Sequence, residues 1–456
     1  VYQPSDHQFL KAIIKGLPEF KNADPDFQLR LSAQFQLIRT LTRKIYGTDE
    51  VSQVNTLTML VKKMFTSHIE RSIVMQKIDQ EREKNPHWFT SEKLVGMMLY
   101  VDRFCGDLFT FKTKLSYFED LGINLVHLMP LLKCPSENND GGYAVSDYRS
   151  VNPDLGTIDD IQEIAGQLHE KGMYLMLDLA LNHTSDEHEW AQKALAGDEK
   201  YQRYYYMYEN REVPDQFEKA MPQVFPDTAP GNFTYRPEIN KWVMTVFHQY
   251  QWDLNYTNPE VFIEMLDNLL FLANHGVDVI RLDALAFMWK RPGTSCQNLD
   301  EAHLLIQLFK ACTQVVAPGT LFLAEAIVAP QEIIKYFGQP KEVSNECDMA
   351  YHATLMTLLW ETIATKNNRL LLTTLNNIPS KPNGTTWLNY VRCHDDIGLG
   401  YEDLHASWAG YDAKAHRKFI IDFFSGKAEW SFAKGEKFME DPLTGDARIS
   451  GTLASL

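Results

Sequence analysis

Long apolar runs are missing from this chain. None approaches the roughly 18 residues that a membrane-spanning helix needs, so no transmembrane helix and no membrane partner are expected. An excess of basic residues is missing too. The 456 residues carry 44 Lys and Arg against 60 Asp and Glu, a formal charge of −16. Phosphate binding needs a basic surface, so this balance argues against nucleic acid as a partner. The six cysteines (Cys105, Cys134, Cys296, Cys312, Cys347 and Cys393) form no CxxC pair and no close framework. They read as free thiols, which favours a reducing compartment and a cytoplasmic location. A phosphate-cradling loop is also lacking. The one Gly pair, Gly141–Gly142, sits between Asp140 and Tyr143, unlike a Walker pattern. The sequence starts at Val1, with no signal-peptide pattern.

What is present is apolar and aromatic mass. Hydrophobic residues are 45% and aromatics 12% of the chain, enough for a large core and too many for a disordered protein. At roughly 150 residues per domain the length suggests two or three domains. Residues 1–90 read as a helical N-terminal domain. The stretches Phe27 to Ile45 and Val51 to Ile78 repeat apolar residues at helical spacing without Pro.

From Leu94 the pattern changes to short apolar runs separated by helical stretches. The runs are 95–104, 123–130, 174–181, 277–285, 321–327, 347–352 and 386–394. Apolar strands alternating with helices imply a parallel sheet covered on both faces. Seven in series predict an α/β chain with a (β/α)8 TIM-type barrel. The gap of about 95 residues between the third and fourth runs exceeds what one helix needs, and predicts an inserted subdomain. The expected organisation is 1–90 helical, 91–183 first part of the barrel, 184–260 the inserted subdomain, 261–398 second part of the barrel, and 399–456 a loop subdomain. An eighth strand is not evident. The sequence therefore reads as truncated before the eighth strand and any C-terminal β-domain.

Polar residues gather at the predicted strand ends, where a barrel of this type does its chemistry. Asp178, Asn182 and His183 close the third run. Arg281 and Asp283 end the fourth, Glu325 the fifth, and His394, Asp395 and Asp396 the seventh. One carboxylate in an apolar strand is often a structural ion pair. Three at the same end of three strands point to chemistry. A retaining glycoside mechanism needs a carboxylate nucleophile and a carboxylic acid proton donor. Arg281 precedes Asp283 by two, so both share one strand face, and a guanidinium there is expected to keep Asp283 ionised. Apolar neighbours are expected to raise the Glu325 carboxyl, as an acid requires.

The segments DLALNHTS (178–185), VIRLDAL (279–285), LAEAI (323–327) and RCHDDIG (392–398) resemble the four signature regions of the α-amylase superfamily in order and spacing. DGGYAVSDYRSVNPDLGT (140–157), QWDLNYTNP (251–259), AFMWKRPGTSCQNL (286–299) and NYVRCHDDIG (389–398) further resemble the amylosucrase family. That resemblance implies a glucosyltransferase that takes sucrose, releases fructose and extends α-1,4-glucan or maltooligosaccharide acceptors. It implies Asp283 as nucleophile, Glu325 as general acid/base and Asp395 as transition-state stabiliser. Arg281, His183 and His394 would hold the glucosyl unit, with Tyr143 and Phe247 as its aromatic wall. Asp140 would bind the glucosyl end, and Asp396 and Arg448 the fructosyl side. In that family the counterpart of Asp140 pairs with an arginine beyond the last residue here, so an inactive truncated fragment is one alternative. Others are a sucrose hydrolase and an isomer-forming enzyme. A non-catalytic binding subunit fits poorly, because all three carboxylates are present. No cofactor and no metal are expected.

Overall fold

The structure, a computed structural model, describes residues 4–17, 20, 23–326, 328, 330–338 and 345–456. Two compact units divide the chain. The first is Val1–Glu325 with Asn345–Cys347, and the second is Ala326–Ser344 with Asp348–Leu456.

The first unit opens with four helices: α1 (Pro4–Lys15), α2 (Pro25–Tyr46), α3 (Glu50–Glu70) and α4 (Ile73–Lys84). Asp24 caps α2 by accepting from the Phe27 amide, Pro25 starts it, and Gly47 ends it at a positive φ of 89° that suits glycine. Phe27, Leu31, Phe35, Ile38 and Leu41 form its buried stripe, and α2 packs along the helix Asp300–Val316. Each such side chain gains roughly 1.5–3 kcal/mol from burial, so packing rather than helix propensity holds α2 in place.

The sequence predicts one helix from Val51 to Ile78. The structure breaks it at Arg71, and Ser72 caps a new helix by accepting from the Met75 amide. The break lets the Arg71 guanidinium grip Asp79 with two hydrogen bonds of 2.6 and 2.8 Å. It also donates to the Ala273 carbonyl at 2.9 Å. Both partners of this pair are almost fully buried. Apolar spacing cannot report such a pair, because the helical stripe runs on across the break.

In chain order the strands of this unit begin with β1 (Gly96–Leu99) and β2 (Leu125–Leu128). A hairpin of β3 (Leu132–Lys133) and β4 (Asp147–Val151) follows, then β5 (Tyr174–Ala180) and β6 (His183–Ser185). Next come β7 (Met207–Tyr208), β8 (Phe233–Arg236), β9 (Lys241–Met244) and β10 (Gln251–Asp253), and finally β11 (Val279–Asp283) and β12 (Leu321–Ala324). Strands β1, β2, β5, β11 and β12 pair in that order, all parallel. Between residues 183 and 258, β7, β9 and β8 form a small antiparallel sheet, and β10 pairs antiparallel with β6.

Every strand is shorter than the apolar run that predicts it. The first run becomes β1 plus a helical turn, Val101–Phe104. The end of the fifth run, Ile327, lies outside the described residues. In the second unit, β13 (Met349–Tyr351) pairs parallel with β14 (Thr386–Leu388). The seventh run is thus strand only as far as Leu388, and His394, Asp395 and Asp396 stand on the loop beyond it. A hairpin of β15 (Glu436–Phe438) and β16 (Arg448–Ser450) completes the unit. Its core packs Leu358, Trp360, Ile397, Ile420, Phe424 and Ile449.

Among the described residues, no helix is long and apolar enough to cross a membrane. All six cysteines are free thiols, three of them buried.

Candidate active site

Parallel pairing sets the first layer of the site. Arg281 on β11 lies directly beside Asp178 on β5. The Arg281 guanidinium bonds the Asp178 carboxylate, donates to Asp283 Oδ1 at 2.8 Å, and donates to the Tyr143 hydroxyl at 3.2 Å. The Tyr143 hydroxyl donates to Asp178 Oδ1 at 3.3 Å, and His127 Nε2 meets Asp178 Oδ2 at 2.8 Å. Burial alone would raise Asp178, but the charges and hydrogen bonds of Arg281 and His127 bring it down to about 2. Asp178 therefore stays an anion and fixes the guanidinium in place.

Asp283 behaves in the opposite way. Burial pushes its carboxyl well above the usual range. Arg281 opposes this, while the negative charges of Glu325 and Asp178 reinforce it. The expectation that a guanidinium there keeps Asp283 ionised is corrected in part: Arg281 does lower this carboxyl, but its guanidinium is shared among three carboxylates and burial outweighs it. Its Nη2 lies 4.0 Å from Glu325 Oε1. Glu325 follows β12 directly, and its N–H donates to the Leu282 carbonyl of β11 at 3.2 Å. After Asp283 the backbone enters the left-handed region at Ala284 (φ 52°), a strained setting for a residue with a Cβ. That turn aims the Ala284 N–H at Glu325 Oε2, 3.1 Å away. The two carboxyls thus share one cation, and Glu325 alone takes the backbone donor.

A second layer comes from the inserted segment. The β6–β10 pair sets His183 opposite Asp253 and Gln251 opposite Ser185. The Gln251 amide nitrogen lies 3.0 Å from both Asp140 Oδ2 and His183 Nε2. His248 Nε2 stands 3.6 Å from Asp140 Oδ1, with its ring stacked between Phe225 and Tyr250. Burial raises Asp140, yet His248 and Gln251 outweigh it and hold this carboxyl below its ordinary value. Burial lowers His183, so its ring is neutral at neutral pH. Phe247 packs on His183 (5.1 Å between ring centres) and on Phe287 (5.0 Å). Beneath them the Lys290 ammonium bonds Asp253 at 2.6 Å and Asn182 at 2.9 Å, with Lys290 and Asp253 fully buried. Asp253 also accepts the Val246 amide at 2.8 Å, which anchors the start of the loop carrying Phe247 and His248.

The turn that carries Asp140 needs its glycine at position 142. There φ is 100°, and a Cβ would come within 2.7 Å of the Pro130 side chain. Tyr143 is thereby brought over the guanidinium of Arg281, 5.7 Å from its ring centre.

Seven of the residues singled out in the sequence (Asp140, Tyr143, His183, Phe247, Arg281, Asp283 and Glu325) belong to the first unit. The other four belong to the second. There His394 Nε2 meets Asp395 Oδ1 at 3.2 Å, and Arg448 donates to Asp396 Oδ2 at 3.2 Å. The loop bearing them is braced by mutual Ile397–Ile449 backbone bonds of 2.8 and 3.0 Å. Arg392 adds a bond to the Gly451 carbonyl at 2.7 Å and one to the Asp395 carbonyl. His127, Gln251, His248 and Lys290 were not singled out. Gln251 and Lys290 fall inside quoted motifs, so position alone could have flagged them.

The chain matches the alpha amylase catalytic domain over residues 81–399. It belongs to that family, and the (β/α)8 fold class read from the sequence is the family's fold. Curated relatives include the trehalose synthase/amylase TreS of Mycolicibacterium smegmatis, 33% identical over 294 residues, which are 64% of this chain and 49% of that protein. The glucosylglycerate phosphorylase of Escherichia coli is 32% identical over 326 residues, 71% of this chain and 55% of that one. The chain spans about half the length of the curated relatives it matches. Among solved structures, sucrose 6F-phosphate phosphorylase from Thermoanaerobacter thermosaccharolyticum aligns with a TM-score of 0.61 at 20% identity, covering 79% of this chain and 70% of that one. The trehalulose synthase MutB from Pseudomonas mesoacidophila gives 0.50 at 24%, covering 58% and 50%. At such identities these two speak for the fold.

Proposed function

We propose that this chain carries the glucosyl-handling apparatus of a retaining sucrose glucosyltransferase of the amylosucrase type. The observation that carries the reading is the arrangement at the ends of β11 and β12. Asp283 and Glu325 face one guanidinium, and burial together with the negative charges of Glu325 and Asp178 raises the Asp283 carboxyl, so a second negative charge beside it is disfavoured. A retaining glycoside mechanism needs one proton on the pair, placed on Glu325.

Sucrose would enter with its glucosyl ring against Tyr143 and Phe247 and its far end on Asp140 and His183. Glu325 protonates the glycosidic oxygen as fructose leaves. Asp283 attacks the anomeric carbon and forms a β-glucosyl ester, and Arg281 draws off charge as the carboxylate reacts. The 4-hydroxyl of an α-glucan end then gives its proton to Glu325 and displaces the ester, and two inversions give net retention. Asp395 is assigned the transition-state hydroxyls, His394 the glucosyl unit, and Asp396 and Arg448 the fructosyl side. The division at residues 90, 183, 260 and 398 is proposed with it, as are the cytoplasmic location and the absence of any cofactor. The names of the relatives support sugar chemistry of this kind, since trehalose, glucosylglycerate and a sucrose phosphate figure in them.

The test is incubation with sucrose alone, following fructose, glucose and iodine-staining glucan together. Fructose well in excess of glucose, with glucan appearing, is expected. Equal fructose and glucose would indicate a hydrolase. No release from this chain, and none from a version extended to the full length of its relatives, would overturn the reading.

A further inference from the structure

The sequence RCHDDIG places a thiol, an imidazole and a carboxylate on three successive residues. In a strand, neighbours would point to opposite faces. Here the chain has left β14 and bends, and donor atoms of Cys393, His394 and Asp395 converge within 4.8 Å of one another. Cys393 Sγ lies 3.8 Å from Asp395 Oδ2, and His394 Nε2 lies 3.2 Å from Asp395 Oδ1. All three residues are partly exposed, so an ion from solvent can reach them.

Sulfur, nitrogen and oxygen together are the donor set of a tetrahedral zinc-like ion, with a water as the fourth ligand. Zn–S of about 2.3 Å and Zn–O of about 2.1 Å put such donors roughly 3.6 Å apart, and nitrogen and oxygen roughly 3.4 Å apart. The sulfur–oxygen and nitrogen–oxygen pairs already stand near those separations, each through a different Asp395 oxygen, and all three donors lie within 4.8 Å. The loop is also braced at both ends, by Arg392 on the Asp395 and Gly451 carbonyls and by the Ile397–Ile449 backbone bonds. Arg392 bonds backbone carbonyls, and Arg448 bonds Asp396. Little rearrangement is needed for the loop to close on an ion.

We propose that Cys393, His394 and Asp395 form a binding site for a thiophilic divalent cation such as Zn2+ or Cd2+, and that the bound ion inhibits by occupying the Asp395 carboxylate. On binding, the thiol proton is released to solvent and the thiolate sulfur bonds the metal, with no change of oxidation state. The site itself rests on geometry. Only its inhibitory consequence rests on the function proposed above.

The experiment is a Cd2+ titration of the chain, read by the ultraviolet thiolate-to-cadmium charge-transfer band, with thermal melts confirming that each variant is folded. One equivalent is expected to develop the band. Cys393→Ser should abolish it, whereas Cys105→Ser and Cys134→Ser, which alter the other partly exposed thiols, should leave it intact. Asp395→Asn should weaken binding at least about tenfold, in line with the loss of one ligand. No band, a band unchanged in Cys393→Ser, or an Asp395→Asn variant that binds as tightly as the parent would each overturn the site. In the sucrose assay, Zn2+ should inhibit the parent and spare Cys393→Ser. Cadmium binding at this loop without zinc inhibition in an active chain would uphold the site and overturn the role given to Asp395.

Discussion

Two aspartates bracket β11: Asp278 just before it and Asp283 as its last residue. Asp278 is fully buried and surrounded by donors. Arg82 reaches it at 2.5 Å, His169 Nε2 touches both its oxygens at 2.9 Å, and the Leu175 amide adds 2.7 Å. Burial raises its carboxyl, but these partners outweigh it and hold it below its ordinary value. Asp283 has one shared guanidinium and two carboxylates for company, and is held high. The strand therefore follows an aspartate rich in donors and ends in one with a single shared cation. In this architecture the amino-terminal ends of strands serve stability and the carboxy-terminal ends serve chemistry, and the donor count around each aspartate is the physical form of that division.

The strongest way to break the contrast is Asp283→Asn. Turnover of sucrose should fall by at least about 10^4-fold, while the melting temperature near neutral pH stays level or rises, because a neutral amide escapes the penalty the carboxylate suffers. A large drop in melting temperature would place Asp283 with Asp278 as a structural residue.

Asp278→Asn should do the reverse. Removing one partner from a buried ion cluster costs roughly 3–5 kcal/mol, readable as a lower urea midpoint, with little change in turnover per folded molecule.

Acid sharpens the comparison further. Asp178 lies at about 2 in the folded chain against an ordinary 3.8, so its stabilisation is complete above about pH 4 and is lost as the pH falls towards 2. For Asp283 the folded value lies above the ordinary one, so its contribution opposes folding increasingly as the pH rises past about 4. The melting-temperature gap between Asp283→Asn and the parent should therefore be widest near neutral pH and close towards pH 4.

The smallest effect belongs to His248→Ala. A partly exposed imidazole–carboxylate contact at 3.6 Å is worth about 1 kcal/mol or less, so KM for sucrose should rise about fivefold at most, with kcat little changed.

Much of this was legible in the sequence, for reasons that also mark its limits. The two-residue step from Arg281 to Asp283 is a strand property, so their shared face could be read directly. The strand runs could be found from apolarity, but their ends could not, since apolar residues continue into turns such as Val101–Phe104. The partners of Asp278 lie on α4 and on the helix Ile158–Glu170, far away in sequence. No local pattern announces them. The same holds for Gln251, whose role follows from the β6–β10 register. The break at Arg71 escaped because a serine cap can also sit within a helix, and only Asp79 and the Ala273 carbonyl make it necessary.

That break has a consequence for anyone who would trim the chain. Asp79, gripped by Arg71, also accepts the Gly319 amide at 3.1 Å, just ahead of β12, and Arg82 on the same helix donates to the Gly319 carbonyl at 3.0 Å. Cutting away the first 84 residues would take Arg71, Asp79 and Arg82 together. The turn before β12 would lose both its backbone partners and Asp278 its guanidinium, on the two strands that end in Asp283 and Glu325. The amino-terminal helices are thus the foundation course under the amino-terminal end of the sheet, opposite Asp283 and Glu325, and a trimmed version that keeps this footing has to retain them.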